Sequence, residues 1–244
     1  MDGANQFRLQ PGLQRPRIRR NFVPGIPPGH FAILPENRAL QFPAWAVPGL
    51  VVLFAVIAAA VSLNVTTPFD RSILLWLRDP ANIARPIGPQ WLFETMRDLT
   101  SLGSIAVLTV FTVVIAGYWL LAGRHRAAAL LVAAQIGALV TNDLLKLAFD
   151  RPRPDAILQS AHVFSSDFPS GHAALSSAVY FSAALLAGSA TGIARRFLLT
   201  LAGSVVLVIG FSRLYLGVHY PTDVLAGWCV GGVSVLALAP AMTE

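Results

Sequence analysis

The sequence predicts an all-α polytopic membrane protein, a bundle of six transmembrane helices. Two observations carry that prediction. Of 244 residues, 55% are hydrophobic and only 12% charged, with a mean hydropathy of +0.62, a balance that soluble cores rarely reach. The apolar residues also fall into six separate runs, each close to the roughly 20 residues a helix needs to cross the hydrocarbon core of a bilayer.

Residues 1–43 come first and hold Arg8, Arg15, Arg17, Arg19, Arg20 and Arg38 among several Pro and Gly, with no sustained apolar period. They read as a flexible basic cytoplasmic tail, and residues 44–244 as the six-span domain. The tail is too long and too Pro-rich for the charged region of a signal peptide, and the run behind it is of spanning length. A retained anchor is therefore expected rather than a cleaved signal. The tail fixes orientation, or binds anionic lipid.

The six runs cover residues 45–63, 104–121, 127–149, 172–191, 196–211 and 222–241. Pro48 falls in the first turn of the first run, where a missing N–H does little harm. Between the first two runs, residues 64–103 mix Arg71, Arg78, Arg85 and Arg97 with Asp70, Asp79, Glu94 and Asp98 around Trp76 and Trp91. This composition fits an interfacial loop or short amphipathic helix on the bilayer, either a lid or a plain connector with aromatic anchors.

Threading the runs puts the tail, Arg124 with Arg126, and Arg195 with Arg196 on one side. The positive-inside rule makes that side cytoplasmic, with both termini inside. The net charge of +6 then reports topology, and no nucleic acid partner is expected, because no basic patch interleaved with aromatics is present. Gly227 and Gly231 in the sixth run form a GxxxG pattern that reads as close helix packing. Cys229, the single cysteine, excludes an intramolecular disulfide and a cysteine-based metal site.

The polar residues that carry chemistry stand at the outward ends of the runs. After Lys146 the third run meets Arg151-Pro152-Arg153-Pro154, where the prolines stop the helix and leave three cations at the membrane surface facing an anion or lipid headgroups. Ser170 opens the fourth run as an N-cap. Its side chain and the N–H groups of Gly171 and His172 converge on a small volume that suits a phosphate, or they simply cap the helix. The fifth run ends in Ser212-Arg213, and His219 precedes a sixth run that starts near Pro221. Asp223 lies four residues beyond His219, so its carboxylate can reach back, fix the imidazole tautomer and leave the other ring nitrogen free to attack.

In order, Lys146-x6-Arg153-Pro154, Pro169-Ser170-Gly171-His172 and Ser212-Arg213-x5-His219-x3-Asp223 resemble the three motifs of the type 2 phosphatidic acid phosphatase (PAP2) superfamily of membrane lipid phosphatases. The resemblance implies hydrolysis of a phosphate monoester or pyrophosphate on a membrane lipid through a phosphohistidine. His219 is then the nucleophile, Asp223 orients it, and His172 is the general acid and later the base. Lys146, Arg153, Arg213, Ser170 and the Gly171 N–H bind the phosphoryl oxygens.

Fixed cations and helix N-terminal N–H groups suit the charge that phosphoryl transfer spreads over equatorial oxygens, so no metal ion or other cofactor is expected. Phosphatidic acid, phosphatidylglycerol phosphate and a polyprenyl pyrophosphate such as undecaprenyl pyrophosphate fit as the lipid phosphate substrate. An outward-facing site leans to the last. The expected location is a bacterial plasma (inner) membrane with the site on its periplasmic side. A lipid-linked phosphotransferase of the same superfamily is the alternative within the family. A non-enzymatic transporter is the alternative outside it, but transporters place charge near the midplane, and here the charges gather at the span ends.

Overall fold

The computed structural model describes residues 42–149, 151–154, 168–187 and 192–242. All but the last two residues of the expected basic tail lie outside the described residues. The chain forms α1 (Ala46–Ser62), α2 (Thr67–Trp76), β1 (Arg78–Asp79), β2 (Asn82–Pro86), α3 (Gln90–Ser101), α4 (Ile105–Leu121), α5 (His125–Phe149), α6 (Gly171–Leu186), α7 (Ile193–Tyr215) and α8 (Pro221–Met242). Each predicted apolar run is helical over its described core. The predicted fourth run reaches past α6 into residues 188–191, outside the described residues. The fifth is longer than expected: α7 continues through Arg213 to Tyr215, so Arg213 sits in a helical last turn rather than in a loop.

The described residues are mainly helical and hold three to five candidate membrane spans. Among the described residues, α5, α7 and α8 are long and apolar enough to cross a bilayer alone; α1 with α2 and α3 with α4 qualify as pairs bent by 91° and 51°, and α6 is a shorter apolar helix. The bends have local causes. Asn64 takes a left-handed φ of 56°, which closes α1, and Pro68 then starts α2 in its first turn, where the lost N–H has no helical acceptor. Ser104 starts α4 in extended conformation, its Oγ accepting the Val107 N–H at 3.3 Å, an N-cap that fixes the new helix direction.

Residues 64–103 are thus more elaborate than one interfacial helix. They hold α2, α3 and a two-stranded antiparallel hairpin that the apolar pattern does not predict. Its turn is made by polar side chains: Asp79 Oδ1 accepts the Ala81 N–H at 2.9 Å and Asn82 Oδ1 the Ala84 N–H at 3.1 Å. The segment is tied to the bundle by Arg78, whose buried guanidinium donates from Nη1 to the Tyr215 carbonyl at 2.9 Å. A cation there complements the negative end of α7, although burial lowers the Arg78 pKa against the opposing pull of Tyr215.

At the centre, α6 packs against α4, α5, α7 and α8. Its Ala and Ser residues are buried almost throughout, as expected where helices associate by close backbone approach rather than by hydrophobic expulsion from water. The GxxxG pattern on α8 supplies the matching surface. A Cβ on Gly227 would lie 2.5 Å from the Ser170 carbonyl oxygen, and one on Gly231 would lie 2.5 Å from Ser177 Cβ. This contact sets the N-termini of α6 and α8 side by side, and the Ser170 N–H donates to the Asp223 carbonyl at 2.9 Å.

At the opposite end, Arg124 donates to the Leu186 carbonyl and lies 5.1 Å from the Trp119 ring centroid. The α4–α5 turn and the C-terminus of α6 therefore share that end. The N-terminus of α7, with Arg195 and Arg196, lies about 34 Å from Tyr215 at 1.5 Å per residue over 23 residues. Leu108, Leu131, Leu175 and Val179 form the buried centre, while Leu121 at 92% and Leu147 at 81% exposure stand on an apolar exterior suited to lipid.

Candidate functional site

The ends of α5, α6, α7 and α8 meet beside the α6–α8 crossing. Lys146 occupies the last turn of α5, one turn after Asn142. A Cβ on Gly171 would stand 3.3 Å from Asn142 Nδ2 and 3.8 Å from Lys146 Nζ. The glycine thus lets the ammonium come against the first turn of α6, where backbone N–H groups have no helical acceptor.

Ser170 occupies the N-cap with φ −68° and ψ 115°, but its side chain makes no cap hydrogen bond. Ser170 is thus the N-cap residue expected, but the alternative in which its side chain simply caps the helix is not what the structure shows. The start of α6 is held through the Ser170 backbone instead, by its N–H on the Asp223 carbonyl and its carbonyl on the Ala174 N–H. The buried Oγ has no hydrogen-bond partner among the described residues. Such a group costs about 1–3 kcal/mol, which a ligand oxygen would offset.

His172 follows in the same turn, half-buried, with its Cδ2 3.2 Å from where a Gly103 Cβ would stand. It lies within range of the charges of Arg213, Lys146 and Arg153 and of the His219 ring. His219, 2% exposed, sits in the turn between α7 and α8, which Gly217 opens with φ 67°. Arg153 Nη1 donates to the Val218 carbonyl at 2.6 Å and so clamps that turn. Arg213 is buried in the last turn of α7 and donates from Nη1 to Thr100 Oγ1 at 3.0 Å. Burial, then the Arg213 charge, push the His219 imidazole well below the usual 6.5, with Asp223 pulling the other way. The shift favours the neutral ring, the form in which a nitrogen can act as a nucleophile.

His219 and Asp223 are neighbours, as their spacing predicts, but Nδ1 and Oδ2 are 3.9 Å apart, outside hydrogen-bond range. Asp223 Oδ2 accepts the Tyr220 N–H at 2.7 Å, and Oδ1 pairs with Arg151. The fold therefore brings together Lys146, Arg153, Ser170, Gly171, His172, Arg213, His219 and Asp223, with the Asp223 carboxylate beside the imidazole rather than bonded to it.

Two further residues complete the cluster. Asp70, fully buried, accepts from the Thr222 N–H at 3.1 Å on Oδ1, and from the Thr222 hydroxyl at 2.7 Å and Arg151 Nη2 at 2.8 Å on Oδ2. Arg151 also donates from Nη1 to Thr222 Oγ1 at 2.9 Å, and its guanidinium lies 4.5 Å from the Tyr220 ring centroid. Burial works against the Arg151 charge, but Asp223 and Asp70 outweigh it and raise its pKa.

Arg151, expected to face an anion or lipid headgroups, and Asp70, expected in an interfacial loop, both turn inward. One signal was available for Arg151. In an extended, Pro-interrupted segment, side chains two apart share a face only if the backbone is regular, so Arg151 and Arg153 need not address the same partner. For Asp70 no local signal exists. Among the described residues no group of three or more His, Cys, Asp and Glu side chains is arranged to hold a metal ion.

The model of one family, the PAP2 superfamily, matches residues 126–244. The chain is 32% identical over 186 residues to phosphatidylglycerophosphatase B of Bacillus subtilis, covering 75% of this chain and 87% of that relative. It is 31% identical over 157 residues to a lipid A 1-phosphatase of Rhizobium etli, covering 55% of this chain and 64% of that relative. A crystal structure of a transmembrane PAP2 type phosphatidylglycerolphosphate phosphatase from Bacillus subtilis matches with a TM-score of 0.69 at 28% identity, covering 80% of this chain and 94% of that one.

Proposed function

Because the chain belongs to the PAP2 superfamily, and is a lipid phosphatase of that type, we propose that it hydrolyses a phosphate monoester or pyrophosphate on a membrane lipid through a phosphohistidine at His219. The observation that carries this reading is the convergence of Lys146, Arg153 and Arg213 on a buried neutral histidine beside an open helix N-terminus. A His219 ring nitrogen attacks phosphorus while the bond from phosphorus to the leaving oxygen breaks, and His172 gives that oxygen a proton. Water then attacks the phosphohistidine, His172 takes the water proton, and the P–N bond breaks to release inorganic phosphate.

Lys146, Arg153, Arg213, Ser170 Oγ and the Gly171 N–H hold the equatorial oxygens throughout, already oriented before the charge develops. Three cations at this range supply the neutralisation that a divalent ion supplies elsewhere, so the reaction runs without metal. The relative matched over most of its length and the matched crystal structure, both from Bacillus subtilis, are named for phosphatidylglycerophosphate, which puts that lipid first, ahead of phosphatidic acid and a polyprenyl pyrophosphate. Purified protein in detergent is expected to release inorganic phosphate from at least one of these lipids at a rate EDTA does not lower, and to be inhibited by vanadate as a mimic of the transition state. Loss of activity in EDTA restored by Mg²⁺ overturns the metal-free mechanism. Phosphoryl transfer to an added alcohol with no phosphate release assigns a phosphotransferase.

We read α1, α4, α5, α6, α7 and α8 as six spans and residues 1–43 as a cytoplasmic tail. The reading is supported by the cations at the end away from the site, Arg124 and Arg126 at the α4–α5 turn and Arg195 and Arg196 at the start of α7. It puts both termini in the cytoplasm and the site on the periplasmic side of a bacterial inner membrane. On a Cys229→Ala background, an Ala81→Cys hairpin is expected to react with an impermeant maleimide before the inner membrane is opened, and Arg126→Cys only afterwards. The reverse pattern overturns the orientation.

A further inference from the structure

Asp223 does not stand alone behind His219. Its Oδ1 is paired with Arg151, and the same guanidinium reaches Asp70 at 2.8 Å, a residue on α2 held to the start of α8 by two bonds from Thr222. Asp70 and Asp223 are both fully buried and Arg151 is nearly so. We propose that Asp70 and Arg151 are positioning residues for the His219–Asp223 pair, an inference that rests on the reading of His219 as nucleophile and Asp223 as its orienter.

The chemistry of the cluster supports that role. A carboxylate held only at one oxygen can swing about its terminal torsion, which is broad and roughly two-fold. Here Arg151 fixes Oδ1 and the Tyr220 N–H fixes Oδ2, which leaves the remaining face of Oδ2 toward His219 Nδ1. The planar fork of arginine suits the task because one Nη addresses Asp223 and Thr222 while the other addresses Asp70, and lysine cannot reproduce that geometry. The Tyr220 ring under the guanidinium holds its plane.

Charge points the same way. Two buried carboxylates that both face the Arg151 guanidinium would repel without that cation between them. With Arg151 in place the trio carries one net negative charge beside His219, the sign that stabilises an imidazole ring gaining positive charge as the phosphoryl group arrives. Asp70 thereby links the segment after α1 to the catalytic turn, 149 residues later in the chain.

The test is steady-state kinetics on Asp70→Asn, Arg151→Gln and Arg151→Lys, each alone and on an Asp223→Asn background, with melting curves for every protein. Asp70→Asn keeps shape and can keep the bonds to Thr222, so it carries the test if Arg151→Gln fails to fold. Alone, Asp70→Asn and Arg151→Gln are expected to lower kcat roughly 10–100-fold, as loss of the outer partner of a functional histidine does in metal sites. KM should stay within about twofold because Lys146, Arg153 and Arg213 are untouched. Arg151→Lys should fall between Arg151→Gln and the unaltered protein. On the Asp223→Asn background, adding either change should alter kcat by less than about twofold, because the residue they act through is already disabled.

Full multiplicative losses on that background, or normal kcat in folded Asp70→Asn, overturn the inference while leaving the roles of His219 and Asp223 standing. If Asp223→Asn alone retains normal kcat, the dyad reading itself fails and takes this inference with it.

Discussion

His219→Ala is expected to lower hydrolysis of the lipid phosphate by at least ~10⁴-fold and to abolish any phosphoenzyme trapped by acid or base quench. The side chain is buried, at the mouth of α8, and within the field of Lys146, Arg153 and Arg213. KM should change far less than kcat, because the cations that bind phosphate remain. The neutral ring has a consequence for pH. Burial and Arg213 lower the imidazole pKa, so the unprotonated, nucleophilic form persists as pH falls. The acid limb of kcat/KM, which reports the free enzyme, should therefore lie below the ordinary histidine value of 6.5 once ionisation of the substrate phosphate is allowed for. A phosphoenzyme that survives in His219→Ala, or an acid limb above that value, removes His219 from the role of nucleophile.

How far the sequence reaches is shown by particular residues. Helix starts were legible where a side chain sets them locally: Pro221 at the first position of α8, and Ser104 with its Oγ on the Val107 N–H. So was close packing on α8, because glycines four apart on an apolar helix present one flat stripe, although α6 as the partner was not. The His219–Asp223 neighbourhood follows from helical pitch alone. Ser170 shows the limit of that logic, since its place at the N-cap was legible but not what holds it there: the backbone bonds to Asp223 and Ala174 fix the helix start, and only the tertiary contact reveals this.

Asp70 lies 81 residues from Arg151 and 152 from Thr222. A buried ion pair across such distances leaves no period, cap or spacing in the chain, and an aspartate in a mixed-charge loop looks the same whether it faces water or closes a network. The hairpin failed to register for a related reason. Its strands are two and five residues long, and its turn bonds are made by Asp79 and Asn82, residues that signal a turn without saying what flanks it. The loop that reads as a connector is thus the part whose contribution depends most on what it packs against. Arg78 on α7, Thr100 on Arg213 and Asp70 on Arg151 all come from it.

His172→Ala is expected to lower kcat on a lipid phosphate monoester ~10²–10⁴-fold, the usual contribution of a positioned acid or base. The loss should depend on the leaving group. A lipid alkoxide needs a proton as the bond to phosphorus breaks, whereas p-nitrophenolate needs little help. With p-nitrophenyl phosphate the first step should therefore survive in His172→Ala, while the second, which needs a base to take the water proton, should not. The expected trace is a burst of p-nitrophenolate equal to the enzyme present, followed by slow turnover and an accumulated phosphohistidine that the unaltered protein does not build up. The ring is placed for both steps, in the first turn of α6 with Gly103 against its Cδ2 and Cβ and within range of His219. Equal losses on lipid and aryl phosphates, with no burst, would instead assign His172 to holding the phosphate, and the proton would have to come from another group.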